Sequence, residues 1–187
     1  MKINLIEYFQ ETVLKEYSRT AVIDGDRNIT YCDLDKKARA VARAITAECG
    51  CLNSPMAIYL PKGIESVYCD IAVTYSGNAY MNLDIKNPLE RIGNILSLIK
   101  PRAVITDNAH AGRISGILPS EIKLINIDGL QYEDIPDASF FTERLSTLID
   151  TDPYCIINTS GSTGTPKGVV LNHRSFIDFM SQTFDEY

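Results

Sequence analysis

Tryptophan is absent, and histidine occurs only at His110 and His173. Two imidazoles so far apart in sequence exclude a histidine-built metal centre. The five cysteines (Cys32, Cys49, Cys51, Cys69 and Cys155) are odd in number, and Cys49-Gly50-Cys51 has no second pair to complete a four-ligand zinc site. They read as free buried thiols of a reducing cytoplasm, and no residue is assigned to a metal. No stretch nears the roughly 20 apolar residues of a membrane span, and acidic residues in the first segment exclude a signal peptide. Positive charge is also scarce: 18 Lys and Arg stand against 24 Asp and Glu. That balance excludes a nucleic-acid binder working by phosphate neutralisation.

What is present is ordinary for a globular chain: 187 residues, 45% hydrophobic, enough for one sizeable core. The negative charge is concentrated. Asp128, Glu133, Asp134, Asp137, Glu143, Asp150 and Asp152 share their stretch with Arg144 alone and account for the whole net charge of −6. Such a stretch reads as a solvated connecting segment, with a cation-binding loop as the alternative.

Leu5, Ile6, Phe9, Val13 and Tyr17 recur at helical spacing. Ala21–Ile23 and Asn28–Thr30 flank an Asp24-Gly25 turn and read as two short strands. Thr30-x-x-Asp33 has the form of a capping box, followed by a helical face of Leu34, Ala38, Val41, Ala42 and Ile45. Strands and helices then alternate. Met56–Leu60, Ala79–Leu83, Ala103–Thr106 and Ile122–Ile127 read as strands; Ile64–Tyr75, the segment after Asn87 and a short segment near Ala109–Leu118 read as helices. Asn87 is the expected cap of its helix, with Pro88 in the first turn. This alternation predicts an α/β fold, a mostly parallel twisted sheet flanked by helices.

Two short apolar strands, Tyr154–Ile157 and Gly168–Leu171, enclose Asn158-Thr159-Ser160-Gly161-Ser162-Thr163-Gly164-Thr165-Pro166-Lys167. Glycines let backbone N–H groups converge on one point, hydroxyls add rotatable donors, and a lysine adds charge; a polyphosphate asks for this set. Composition alone leaves a polar surface turn equally open. A Walker loop is excluded, because Pro166 precedes the lysine and Gly168 follows it.

The order of residues decides between these readings. TSGSTGTPKG resembles the phosphate-loop signature of the adenylate-forming (AMP-binding) superfamily. Nine fixed positions at about 6% usage each match by chance on the order of 10⁻¹¹ per window. Ile29–Leu34 resembles the family's early TYxEL stretch, with Asp33 for glutamate. Tyr75–Asp84, with Pro88 and Glu90-Arg91-Ile92, resembles AGxAYxPLDPxxPxERI. That stretch is fuller in nonribosomal peptide synthetase amino-acid adenylation domains and D-alanine–carrier-protein ligases. Asn82 departs from a common proline, and Asn158 from a tyrosine that often precedes the loop.

The resemblance implies the N-terminal portion of the adenylate-forming large domain: residues 1–187 as one incomplete domain, with its phosphate loop at 158–168. It implies ATP as cofactor, with magnesium, and a small-molecule carboxylate, an amino acid by subfamily, activated as an acyl-adenylate with pyrophosphate release. The acyl group then passes to a carrier protein's phosphopantetheine or to coenzyme A. By position, Thr159, Ser160, Ser162 and Thr163 donate to phosphate oxygens. Gly161 and Gly164 allow close approach, and Lys167, the catalytic residue of the set, offsets pyrophosphate charge. Pro166 is read as stiffening the turn and Gly168 as starting the return strand. Tyr31, Arg91 and Cys155 are read as scaffold, and His173-Arg174 as a helix cap or loop contact. No nucleic-acid or membrane partner is implied.

The family's later adenine, ribose and C-terminal lysine motifs do not occur in this sequence, so the chain alone is expected to be inactive. An apolar stripe of Phe176, Phe179, Met180 and Phe184 predicts self-association. The alternatives are part of an acyl-CoA synthetase, or a non-catalytic phosphate-binding or interaction module.

Overall fold

Met56–Ile58 and Ala103–Ile105 carry side chains that are all fully buried, the pattern of strands covered on both faces. The computed structural model describes residues 2–133, 135–160 and 166–185, and pairs these two runs in parallel at the centre of a six-stranded sheet. Alternate residues go to opposite faces. Met56, Ile58, Ala103 and Ile105 join one apolar cluster, and Ala57 and Val104 join the other.

The chain runs α1 (Leu5–Lys15), β1 (Thr20–Asp24), β2 (Arg27–Thr30), α2 (Tyr31–Cys49), β3 (Pro55–Ile58) and α3 (Ile64–Tyr75). It continues through β4 (Ala79–Asn82), α4 (Leu89–Ile99), β5 (Ala103–Thr106), α5 (Asn108–Ser115) and β6 (Lys123–Asn126). Two 3₁₀ turns and α6 (Thr142–Ser146) then lead to β7 (Pro153–Ser160), β8 (Pro166–Asn172) and α7 (His173–Asp185). β1 and β2 form a separate antiparallel ribbon. The main sheet has the order β6-β5-β3-β4-β7-β8, parallel throughout except for the β7–β8 hairpin. The expected α/β architecture is therefore present.

From β3 the chain moves one way to β4, then returns past β3 to β5. Crossovers of one hand then require helices on opposite faces. α2 and α3 lie in the cluster with Met56 and Ile58, whereas α4 and α5 lie in the cluster with Ala57 and Val104. β3 and β5 thus flank a topological switch point.

Several local expectations hold. Thr30 caps α2, its Oγ1 accepting from the Asp33 N–H at 3.1 Å, and Leu34, Ala38, Val41, Ala42 and Ile45 are all buried. Others need correction. α1 ends at Lys15, because Glu16 leaves helical geometry at φ −117°, so Tyr17 stands outside it and is exposed. α4 starts at Leu89 with Pro88, not Asn87, at the cap position and no side-chain cap bond. The acidic segment is not merely solvated: Phe141, Leu145 and Leu148 are buried in the cluster of α2 and α3. Arg144 explains how it docks. Its guanidinium donates to the carbonyls of Gly50, Cys51 and Ser76, at the C-terminal ends of α2 and α3. All five cysteines are free; Cys32, Cys69 and Cys155 are buried, and Cys49 and Cys51 half-buried.

Candidate phosphate-binding hairpin

The ends of the hydroxyl- and glycine-rich segment belong to strands. Antiparallel pairing sets Ile157 opposite Val169, Asn158 opposite Gly168, Thr159 opposite Lys167, and Ser160 opposite Pro166. Sequence reasoning placed Thr159–Lys167 wholly in an irregular loop and started the return strand at Gly168. The ladder instead continues one pair past Thr159–Lys167, so Pro166 is a strand residue. Gly161, Ser162, Thr163 and Gly164 lie outside the described residues. Thr159 and Lys167 are brought together: the Thr159 hydroxyl donates to the Lys167 carbonyl at a long 3.4 Å. Lys167 is exposed and has no ion-pair partner among the described residues. Gly168 serves close packing. A Cβ there would stand 2.7 Å from Cδ1 of Ile99 and 3.1 Å from Cγ2 of Ile156.

The base of the hairpin is held by aromatic and charged contacts. Tyr80 of β4 pairs with Cys155 of β7, and the Tyr154 ring meets those of Tyr80, His173 and Phe176 at centroid distances of 5.2, 5.3 and 4.7 Å. Burial pushes the Tyr154 phenol up to about 12, so it stays protonated at neutral pH. His173 is 1% exposed, and its Nδ1 accepts from the Leu5 N–H at 3.3 Å. Burial lowers its pKa, with Asp152 opposing. Arg174 grips Asp150 with two bonds of 2.8 and 2.9 Å. Both residues thus make scaffold contacts, His173 to the start of α1 and Arg174 to the acidic segment.

Beneath the hairpin lies a cleft of about 360 Å³, walled by the ends of β4 and β7, the start of α4, and Phe176 of α7. Arg91, read from sequence as scaffold, is exposed and lines this cleft. Asp70 stands nearby and was not legible as special. Burial raises its pKa to about 7, opposed by the Asn82 amide, which donates to it at 3.0 Å. A second cleft of about 410 Å³ occupies the switch point after β3 and β5. Its Arg27 is already paired with Asp24 and Glu65 at 2.5 and 2.8 Å. Among the described residues no cluster of three or more metal-type ligands occurs, and no helix is long and apolar enough to cross a membrane.

Comparison with known proteins agrees with this architecture. Bacitracin synthase 1 of Bacillus licheniformis is 32% identical over 180 residues, which are 96% of this chain and 3% of that protein. The N-terminal subdomain of Klebsiella oxytoca NpsA superposes with a TM-score of 0.74 at 24% identity, covering 92% of this chain and 42% of that one. A fatty acyl-adenylate ligase from L. pneumophila, solved with acyl adenylate and pyrophosphate, gives 0.78 at 20% identity, covering 97% and 32%. The chain therefore spans only a small part of the curated relatives it matches. These structural likenesses speak for the fold. The profile of the AMP-binding enzyme family matches residues 9–187. The hairpin carrying Thr159 and Lys167 is accordingly the hairpin of a family member, and the chain belongs to the AMP-binding enzymes.

Proposed function

We propose that residues 1–187 are the N-terminal part of an adenylation domain, with 158–168 as its phosphate loop. In this reading the intact protein activates a carboxylate, an amino acid by its resemblance to peptide synthetases, and passes it to a thiol on a carrier protein or coenzyme A. The observation that carries the reading is the β7–β8 ladder, which sets Thr159 opposite Lys167 and Ser160 opposite Pro166, on either side of residues 161–165 in the chain. ATP, held with magnesium, would supply the adenylyl group and the pyrophosphate leaving group.

The chain's own residues fit that group. Lys167 offers a positive charge without an ion-pair partner among the described residues, at the edge of the loop where pyrophosphate charge would develop. Thr159 offers a hydroxyl whose present bond of 3.4 Å is long enough to exchange for a phosphate oxygen. Ser160, Gly161, Ser162, Thr163 and Gly164 would complete the cradle with hydroxyl and backbone donors. The hairpin also leaves Ile157, Val169, Val170 and, beside it, Phe179 exposed, and these favour self-association.

Titration of this chain with inorganic pyrophosphate, followed by backbone NMR, tests the reading. Thr159 and Lys167 signals should move, and Lys167→Ala should weaken binding about tenfold, as for loss of one charged hydrogen bond. Unmoved signals at these two residues, or an unchanged affinity in the variant, would remove the hairpin from phosphate binding.

A further inference from the structure

Cys49-Gly50-Cys51 stands where α2 gives way to the chain leading into β3. Cys49 is the last residue of α2, and Gly50 turns the chain out of the helix at φ +64° and ψ −9°. A single residue in that conformation folds its neighbours back, so their Cα atoms stand within the ~7 Å that a disulfide can span. Both thiols are half-buried, whereas Cys32, Cys69 and Cys155 are buried, so a solute reaches this pair first. A Cβ at Gly50 would meet nothing within 4 Å, which leaves the linking residue open space to change conformation.

The two thiols are free, and that of Cys51 is turned to another partner. It donates a weak bond to Asn78 Oδ1 at 3.8 Å, and Asn78 Nδ2 donates back to the Cys51 carbonyl at 3.1 Å. Burial raises the Cys49 pKa, helped by Cys51 and Glu48 and opposed by Arg102 and Lys123. The carbonyls of this same turn hold the acidic segment. Arg144 donates to the oxygens of Gly50 and Cys51 as well as Ser76, beside buried Phe141, Leu145 and Leu148. A ring closed between the two sulfurs would include the Gly50 carbonyl carbon and would draw Cys51 away from Asn78. The peptide that must turn is therefore the one that Arg144 grips.

We propose that Cys49 and Cys51 are a reversible disulfide pair, oxidised by a small disulfide, and that its closure releases the Arg144 clamp. In the first step the Cys51 sulfur bonds to one half of the oxidant, and the other half leaves as a thiol with the Cys51 proton. Cys49, held protonated by burial, reacts second. Its sulfur bonds to that of Cys51, and the remaining half leaves as a thiol with the Cys49 proton. Two protein thiols are oxidised and one disulfide is reduced to two thiols. Arg102 and Lys123 favour the Cys49 thiolate as it forms. So small a ring is strained, and strained disulfides are the ones that added thiols reopen. None of this depends on phosphate binding at the hairpin.

The test incubates the reduced chain with glutathione disulfide and follows mass and amide exchange. Tryptic cleavage after Arg43 and Lys62 gives a peptide, 44–62, that contains Cys49 and Cys51 and no other cysteine. It should become lighter by two hydrogens at least tenfold faster than Cys32, Cys69 or Cys155 gains a glutathione. Exchange over residues 138–148 should then quicken at least tenfold, and dithiothreitol should restore it. Cys49→Ser should stop at a mixed disulfide on Cys51 and keep the slow exchange of the reduced chain, since no ring closes. Arg144→Ala should exchange quickly when reduced and gain nothing more on oxidation. A wild-type peptide that stays unmodified, or that keeps a bound glutathione, would overturn the pair. A disulfide that forms without quickening 138–148 would overturn the release, as would a Cys49→Ser chain that quickens like the wild type or an Arg144→Ala chain that still responds. Both decisive readings come from the wild type, so a variant that failed to fold would leave them intact.

Discussion

At the scale of single residues, position in the fold changes chemistry that sequence cannot display. Asp70 is one acid among twenty-four Asp and Glu, and nothing in its neighbours marks it. Burial beside β4 raises its carboxyl pKa to about 7, whereas an unfolded aspartate loses its proton near 3.9. Between those values the folded state holds a proton that the unfolded state lacks. Stability therefore falls as pH rises from about 4 to about 7. Urea midpoints should be lower at pH 8 than at pH 5, and Asp70→Asn should flatten that difference and raise the midpoint at pH 8. An unchanged slope in the variant would assign the pH dependence elsewhere. Lys167 is the opposite case. The role proposed for it rests on the order of the ten residues around it and not on burial.

At the scale of elements, local chemistry was read well where it was self-contained. The Thr30 cap needs only Asp33, three residues on, and it formed as expected. The Asn87 cap did not form: α4 begins one position later than a first-turn proline implies, and Pro88 takes the cap position. The acidic segment was misread for a different reason. Its charges dominate its composition, yet Phe141, Leu145 and Leu148 decide where it lies, and their partners are on α2 and α3, far away in sequence. Arg144, its lone base, completes the docking by taking carbonyls from the ends of two helices, a favourable place for a cation. Arg144→Ala should cost about 2 kcal/mol, as for hydrogen bonds to a charged donor. Chemical denaturation should show the loss, and amide exchange should quicken first over residues 138–148. Uniform quickening across the whole chain would deny Arg144 this local role.

At the scale of the whole molecule, the alternation of strands and helices announced a mostly parallel sheet, but not the order of its strands. Order depends on pairings such as β3 with β5, which are remote in sequence and leave no local trace. One consequence of that order is an open edge. β8 ends the sheet, with Val170 58% exposed on it and Phe179 of α7 64% exposed. Edge strands with unpaired backbone groups invite pairing with a second chain. Sedimentation should show mass rising with concentration, and Val170→Lys should shift the protein toward monomer. A wild-type chain that stays monomeric throughout would count against the edge as the contact.

The rung between Tyr80 and Cys155 has a further consequence, in time rather than space. The register of β4 with β7 holds only this pair, and its members lie 75 positions apart along the chain. Closing so long a loop forfeits chain entropy before any contact repays it, whereas the hairpin itself closes locally. The β7–β8 ladder that pairs Thr159 with Lys167 can thus form early, yet it gains its place beside β4 only once that long loop has closed. A variant that slows this long-range closure would keep the locally closed hairpin while delaying its placement beside β4.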